Sequence, residues 1–110
     1  MLAVIFEVTP TPQGRQSYFD IAAELKASLT QIDGFISVER FQSLANPDCY
    51  LSLSFWRDES AVSQWRNLAE HRAAQHQGRN KLFQHYRIRV AQVCRDYNHQ
   101  QRNQAPQDSQ

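Results

Sequence analysis

The stretch Leu2-Ala3-Val4-Ile5-Phe6-Glu7-Val8-Thr9 is short, β-branched and aromatic, and Pro10 and Pro12 close it. Those features predict a strand. Its apolar side chains fall on both faces: Leu2, Val4, Phe6 and Val8 on one, Ala3 and Ile5 on the other. A strand covered on one side only alternates more cleanly. Any fold for this chain must therefore supply cover for both sides of its first strand.

The rest of the chain provides the elements to do so. Over residues 15–32, Tyr18, Ile21, Ala22, Leu25, Leu29 and Ile32 recur at spacings of three and four, which predicts an amphipathic helix. Asp33-Gly34 ends it, with Gly34 suited to positive φ. Residues 35–43 and 49–57 read as two strands joined by the turn Ala45-Asn46-Pro47-Asp48, a hairpin. Asp58 or Ser60 caps a second helix running to Gln77, with Val62, Trp65, Leu68 and Ala69 inward and Gly78 stopping it. The last strand lies within Phe83 to Tyr97. The order βαββαβ is that of a ferredoxin-like α+β fold with a four-stranded antiparallel sheet.

Two helices on one face leave the other face of such a sheet bare and apolar. A surface of that kind marks an interaction site, and a second copy meeting it through a two-fold axis is the simplest cover. The expected assembly is a homodimer through its sheet faces, forming an α+β barrel. Residues 1–97 are expected to form this domain, and 98–110, with one apolar side chain in thirteen, a disordered polar tail.

Composition narrows the partners. Twelve basic against eleven acidic residues leave a net charge of +1, which gives no case for nucleic acid. No stretch reaches the roughly 20 apolar residues of a membrane span, and the start lacks the basic region of a signal peptide. Cys49 and Cys94, in apolar segments and without metal-ligand spacing, read as free buried thiols in a reducing cytoplasm.

On the helix side, aromatic and polar groups converge in the manner of a small-molecule site. Trp65 fits either core packing or one wall of a ligand cavity. His76 follows it by eleven residues, close to three full turns, and shares its face on an unbroken helix. His71 and Gln75, four apart, are neighbours. His71, His76 or His85 is either a solvated side chain, a general base, or a ligand to haem. No His-Glu-His spacing points to a metal. Glu7, interrupting an apolar strand, needs a partner such as Arg40, Arg87 or Arg89, or a raised pKa that would make it a proton acceptor. Arg72, Arg79 and Arg87 are solvated charges or, facing a cavity, anion binders. Tyr50 and Tyr86 could line its rim.

The segment Leu53-Ser54-Phe55-Trp56-Arg57-Asp58-Glu59-Ser60-Ala61-Val62 resembles the antibiotic biosynthesis monooxygenase-like family. So do Trp65, Glu70-His71-Arg72-Ala73-Ala74-Gln75, Gly78-Arg79, Phe83, Tyr86 to Val90, Arg95-Asp96-Tyr97 and the earlier Gly34-Phe35. The resemblance covers about residues 2–97 and implies a dimeric α+β barrel. Some members oxygenate aromatic substrates with O₂ and neither metal nor flavin. Others degrade haem with an Asn on the first strand and a Trp and a His on the second helix. Trp65 matches that Trp, Gln75 stands at the His position with His76 next to it, and Glu7 stands near the Asn position.

The resemblance implies a cofactor-independent monooxygenase for a small quinol- or phenol-like aromatic molecule. Trp65 and Phe83 would hold the ring, with Arg72, Gln75 and Tyr86 as further binding residues. His71, His76 or Glu7 would take the proton. The alternatives are a haem-binding or haem-degrading protein, and a non-catalytic small-molecule-binding or stress-response module.

Overall fold

The computed structural model describes residues 1–77 and 81–108. Six elements run in the order expected: β1 (Leu2–Pro10), α1 (Arg15–Leu29), β2 (Phe35–Gln42), β3 (Tyr50–Trp56), α2 (Glu59–Gln77) and β4 (Phe83–Gln92). Gly78 and Arg79, read above as a helix stop and a candidate anion binder, lie outside the described residues.

The strands form one antiparallel sheet in the order β2-β3-β1-β4. β1 is central and pairs with β3 from Leu2↔Trp56 to Val8↔Tyr50 and with β4 from Leu2↔Gln92 to Pro10↔Phe83. Because successive side chains alternate, Leu2, Val4, Phe6 and Val8 share one face with Tyr50, Ser52, Ser54 and Trp56. Both helices pack there. Val4 and Trp56, fully buried, join Ile21, Leu25, Leu29, Ala61, Val62 and Leu82 in the main core, while Val8, Tyr18 and Tyr50 form a second cluster. Trp56 satisfies its indole N–H internally, donating to Ser54 Oγ at 2.8 Å, as a buried indole must. The opposite sheet face carries Ile5, Leu51, Leu53 and Phe55, and no helix covers it.

Local chemistry sets the ends of the helices. α1 stops at Leu29 rather than Ile32. Its last turn tightens into three-residue bonds, Gln31 N–H to Ser28 O and Ile32 N–H to Leu29 O, both 3.1 Å, a common way to satisfy terminal carbonyls. Ile32 still packs against the core, which explains why the stripe looked longer than the helix. Gly34 has φ of +97°. Asp58 is the cap of α2, its Oδ1 accepting the Ala61 N–H at 3.0 Å. The Arg57 guanidinium grips Asp33 through both terminal nitrogens (3.0 and 3.1 Å) and Asp58 through Nε (2.9 Å). At the other end of the fold, Thr11 Oγ1 accepts the Gly14 N–H at 2.8 Å and donates to Lys81 O at 2.6 Å. This clips the start of α1 to the approach of β4.

Glu7 is paired on the uncovered face with Arg89 at 3.1 Å, one of the partners expected for it. Both cysteines are free, but Cys94, beyond the end of β4, is exposed and Cys49 half-buried, so neither is the buried thiol expected. Residues 98–108 contain no helix or strand. Within them Asn98 Oδ1 accepts from the Gln100 and Gln101 N–H groups at 2.8 and 2.7 Å. Among the described residues no helix is long and apolar enough to cross a membrane.

Two stability outcomes are expected. A Cβ at Gly14 would stand 2.5 Å from Leu82 O and 2.7 Å from Leu82 Cα, both backbone atoms. Gly14→Ala should therefore cost about 1–3 kcal/mol in chemical denaturation. The Ala61 N–H, then Arg57, holds the Asp58 carboxyl below its usual 3.8. A lowered folded-state pKa means stability that is present above the unfolded value and lost as pH falls through the folded one. Asp58→Ala should thus lower Tm at pH 7, and the gap from the parent should close on acidification below 3.8.

Candidate ligand cavity

Small residues at facing positions open a space between the helices and the sheet. The inward row of β3 sets two small residues between two large ones: Tyr50, Ser52, Ser54, Trp56. Above Ser52, α2 presents Ala69 and Ala73 and α1 presents Ala22, where larger side chains would fill the interior. The result is a half-open cavity of about 620 Å³, within the range of small-molecule sites.

Its walls are mostly apolar. Trp65 lines it from α2 while packing against the core, its ring 6.3 Å from that of Trp56. The two readings of Trp65, core residue and cavity wall, therefore both apply. Phe6, Phe83 and Tyr86 form a linked aromatic set, with centroids 5.9 to 6.1 Å apart, and all three line the space. Tyr86 is 58% exposed and stands at the open side, the rim position expected of it.

The polar end is built by Tyr18 and Arg40. Tyr18 is 4% exposed and rises from α1 against Phe83, centroids 5.9 Å apart. Arg40, on the helix-facing row of β2 with Val38, donates from Nε to Tyr18 Oη at 3.0 Å, and its guanidinium carbon lies 5.3 Å from the Tyr18 ring centroid. Burial raises the Tyr18 phenol above its ordinary pKa, with Arg40 opposing, so at neutral pH the phenol keeps its proton. Behind this pair Arg15 donates to Tyr50 Oη at 2.6 Å. Lys26, Glu39, Arg66 and Glu70 complete the charged lining.

The other expected site residues stand elsewhere. His71 is exposed and shares a 3.3 Å hydrogen bond with Gln75, also exposed. His76 does lie on the Trp65 side of α2, but at that level the helix meets α1, and Nε2 contacts the Glu24 carboxylate at 3.0 Å. Arg72 is half-buried, its Nε enclosed without a hydrogen-bond partner. None of these four is among the described residues lining the cavity. Glu7 faces the opposite side of the sheet. The residues at the positions of the haem-degrading set are therefore not gathered at one place, and they do not fit a bound haem. Among the described residues no three His, Cys, Asp or Glu side chains group to hold a metal.

Tyr18 and Arg40 were missed as site residues because each had a sufficient reading of its own, one as core stripe and one as a partner for Glu7. Two signals could have found them. A tyrosine inside an apolar stripe needs a partner for its hydroxyl, and Arg40 alternates in phase with the inward Val38.

Comparison with known proteins agrees with this geometry. Residues 1–77 match the family described as antibiotic biosynthesis monooxygenase. A jasmonate monooxygenase of Pyricularia oryzae is 47% identical over 93 residues, which cover 84% of this chain and 43% of that protein. The chain thus spans less than half the length of that relative. The uncharacterised protein YqjZ of Bacillus subtilis is 29% identical over 93 residues, covering 84% of this chain and 79% of its own length. Among solved structures, Rv0793 of Mycobacterium tuberculosis superposes with a TM-score of 0.73 at 17% identity, covering 88% of this chain and 98% of that one. SnoaB of Streptomyces nogalater, a cofactor-independent oxygenase, gives 0.68 at 11% identity, covering 86% and 94%. These two likenesses are of fold. With a family match over residues 1–77 and a four-stranded sheet carrying two helices on one face, the chain belongs to the antibiotic biosynthesis monooxygenase family.

Proposed function

We propose that the chain is a cofactor-independent monooxygenase for a small ring compound of quinol, phenol or enolisable ketone type. The observation that carries this reading is the half-open 620 Å³ cavity walled by Trp65, Phe83 and Tyr86. The family match, the jasmonate monooxygenase relative and the cofactor-independent oxygenase of like fold support the reaction class.

The chemistry asks little of the protein. A methylene beside a ring carbonyl loses a proton to water at the open side of the cavity to give an enolate. Its carbon adds O₂ to form a peroxide anion, which takes a proton back to become a hydroperoxide, and loss of water leaves a new carbonyl. One oxygen atom ends in the product and the other in water, so no external reductant enters. The protein binds the ring, excludes bulk water and favours the anion electrostatically. Trp65 and Phe83 hold the ring, and Tyr86 borders the entrance. His71, His76 and Glu7 have no part in this reading, since none lines the cavity.

A second copy covers the bare sheet face in this proposal. Ile5, Leu51, Leu53 and Phe55 share that face with Phe41, which is 43% exposed, an apolar area of the kind that marks an interface. The two unbridged cysteines suit a reducing, cytoplasmic setting.

Oxygen uptake with anthrone- and naphthoquinol-type substrates tests the reaction. Trp65→Ala should lower kcat/KM about tenfold or more, equivalent to ~1.4 kcal/mol of transition-state stabilisation. His71→Ala and His76→Ala should stay within about twofold of the parent. Uptake no faster than the spontaneous rate across the panel would overturn the reading. Analytical ultracentrifugation tests the assembly: the parent should sediment as a dimer at micromolar concentration and Leu53→Asp as a folded monomer.

A further inference from the structure

The charged groups at the cavity are unevenly matched. Lys26, Arg40 and Arg66 line it together with Glu70, while Glu39 lines it too but alternates onto the face of Leu53, so that its carboxylate is directed away. Among the described residues none of these five forms an ion pair within 4.0 Å, whereas four other pairs do. Arg40 is the most organised of the three cations. Its Nε is committed to Tyr18 Oη at 3.0 Å and its guanidinium lies against the Tyr18 ring. That fixes the plane of the fork and leaves its two terminal nitrogens without a protein acceptor among the described residues. Tyr18 accepts from Arg40 and so still has its own O–H to give.

A planar fork with two free donors matches a carboxylate bidentately. One such fork accommodates one carboxylate. Beside the fork the lining turns apolar through Leu25, Trp65 and Phe83. We propose that Arg40, oriented by Tyr18, is the specificity residue of the cavity. It selects a ring-bearing monocarboxylic acid, with the carboxylate on the Arg40 fork and the Tyr18 hydroxyl and the ring against Trp65 and Phe83. This rests on the cavity being the substrate site of the oxygenase proposed above.

Calorimetric titration of the full chain with 1-naphthylacetate and with its neutral counterpart 1-naphthylacetamide tests this directly. The parent should bind the acid roughly tenfold or more tighter than the amide, the range expected for hydrogen bonds to a charged group. Arg40→Gln should remove that preference, weakening the acid about tenfold and the amide less than about twofold. Tyr18→Phe, which keeps the ring but removes the orienting oxygen, should weaken the acid about threefold to fivefold and leave the amide unchanged. It serves as the deciding variant if Arg40→Gln fails to fold. Equal affinity for the two probes, no binding of either by about 1 mM, or equal weakening of both in the variants would overturn the assignment. Oxygen uptake by the same preparation separates the two readings. Uptake without acid preference removes the carboxylate assignment alone, while acid preference without uptake removes the oxygenase and leaves the carboxylate site standing.

Discussion

The pairing of β1 with a strand on each side is the constraint from which the rest follows. Both of its edges are hydrogen-bonded along its length, to β3 and to β4, and Val4 and Val8 are fully withdrawn from solvent. A one-residue slip would turn every inward side chain outward and would bring Ala3, Ile5 and the ion-paired Glu7 beneath the helices. The register is thus fixed by burial. It in turn sets which residues of β3 and β4 meet the helices and which remain on the bare face.

That register has an unexpected effect on β3. The row that faces the helices contains two serines, and the greasier row of Leu51, Leu53 and Phe55 faces away. Ser54 is consumed by the Trp56 indole. Ser52 lines the same space as Ala22 of α1 and Ala69 and Ala73 of α2. The interior is therefore dense around Trp56 and hollow beside it. Stability and ligand space are divided between two stretches of the same sheet face, and Trp65 belongs to both.

Periodicity made the order of elements readable, since strand and helix repeats differ and the breaks fall at Pro10, Gly34 and Asp58. The shortened end of α1 was hidden because Ile32 keeps its core contact after the helix has stopped. The site was less legible. Angular phase along α2 put His76 on the Trp65 side, but phase says nothing about which neighbour that side meets at each level, and there it meets Glu24 of α1. Trp65, Phe83 and Tyr86 were readable as aromatic residues on converging elements. The Tyr18–Arg40 pair joins residues 22 positions apart, on a helix and a strand whose juxtaposition only the sheet order decides.

The hollow is bordered by Ser52, Ala22, Ala69 and Ala73, and among the described residues the Ser52 hydroxyl makes no hydrogen bond and the three alanines have none to make through their side chains. These small side chains set the room in the cavity, while the bulk of the core is supplied by Trp56, Val4 and Val8. Exchanging an alanine for a valine or a serine for a threonine would reshape the guest's compartment while Trp56, Val4 and Val8 stayed as they are. A scaffold arranged in this way can change the shape of its cavity through single steps, each leaving a folded protein.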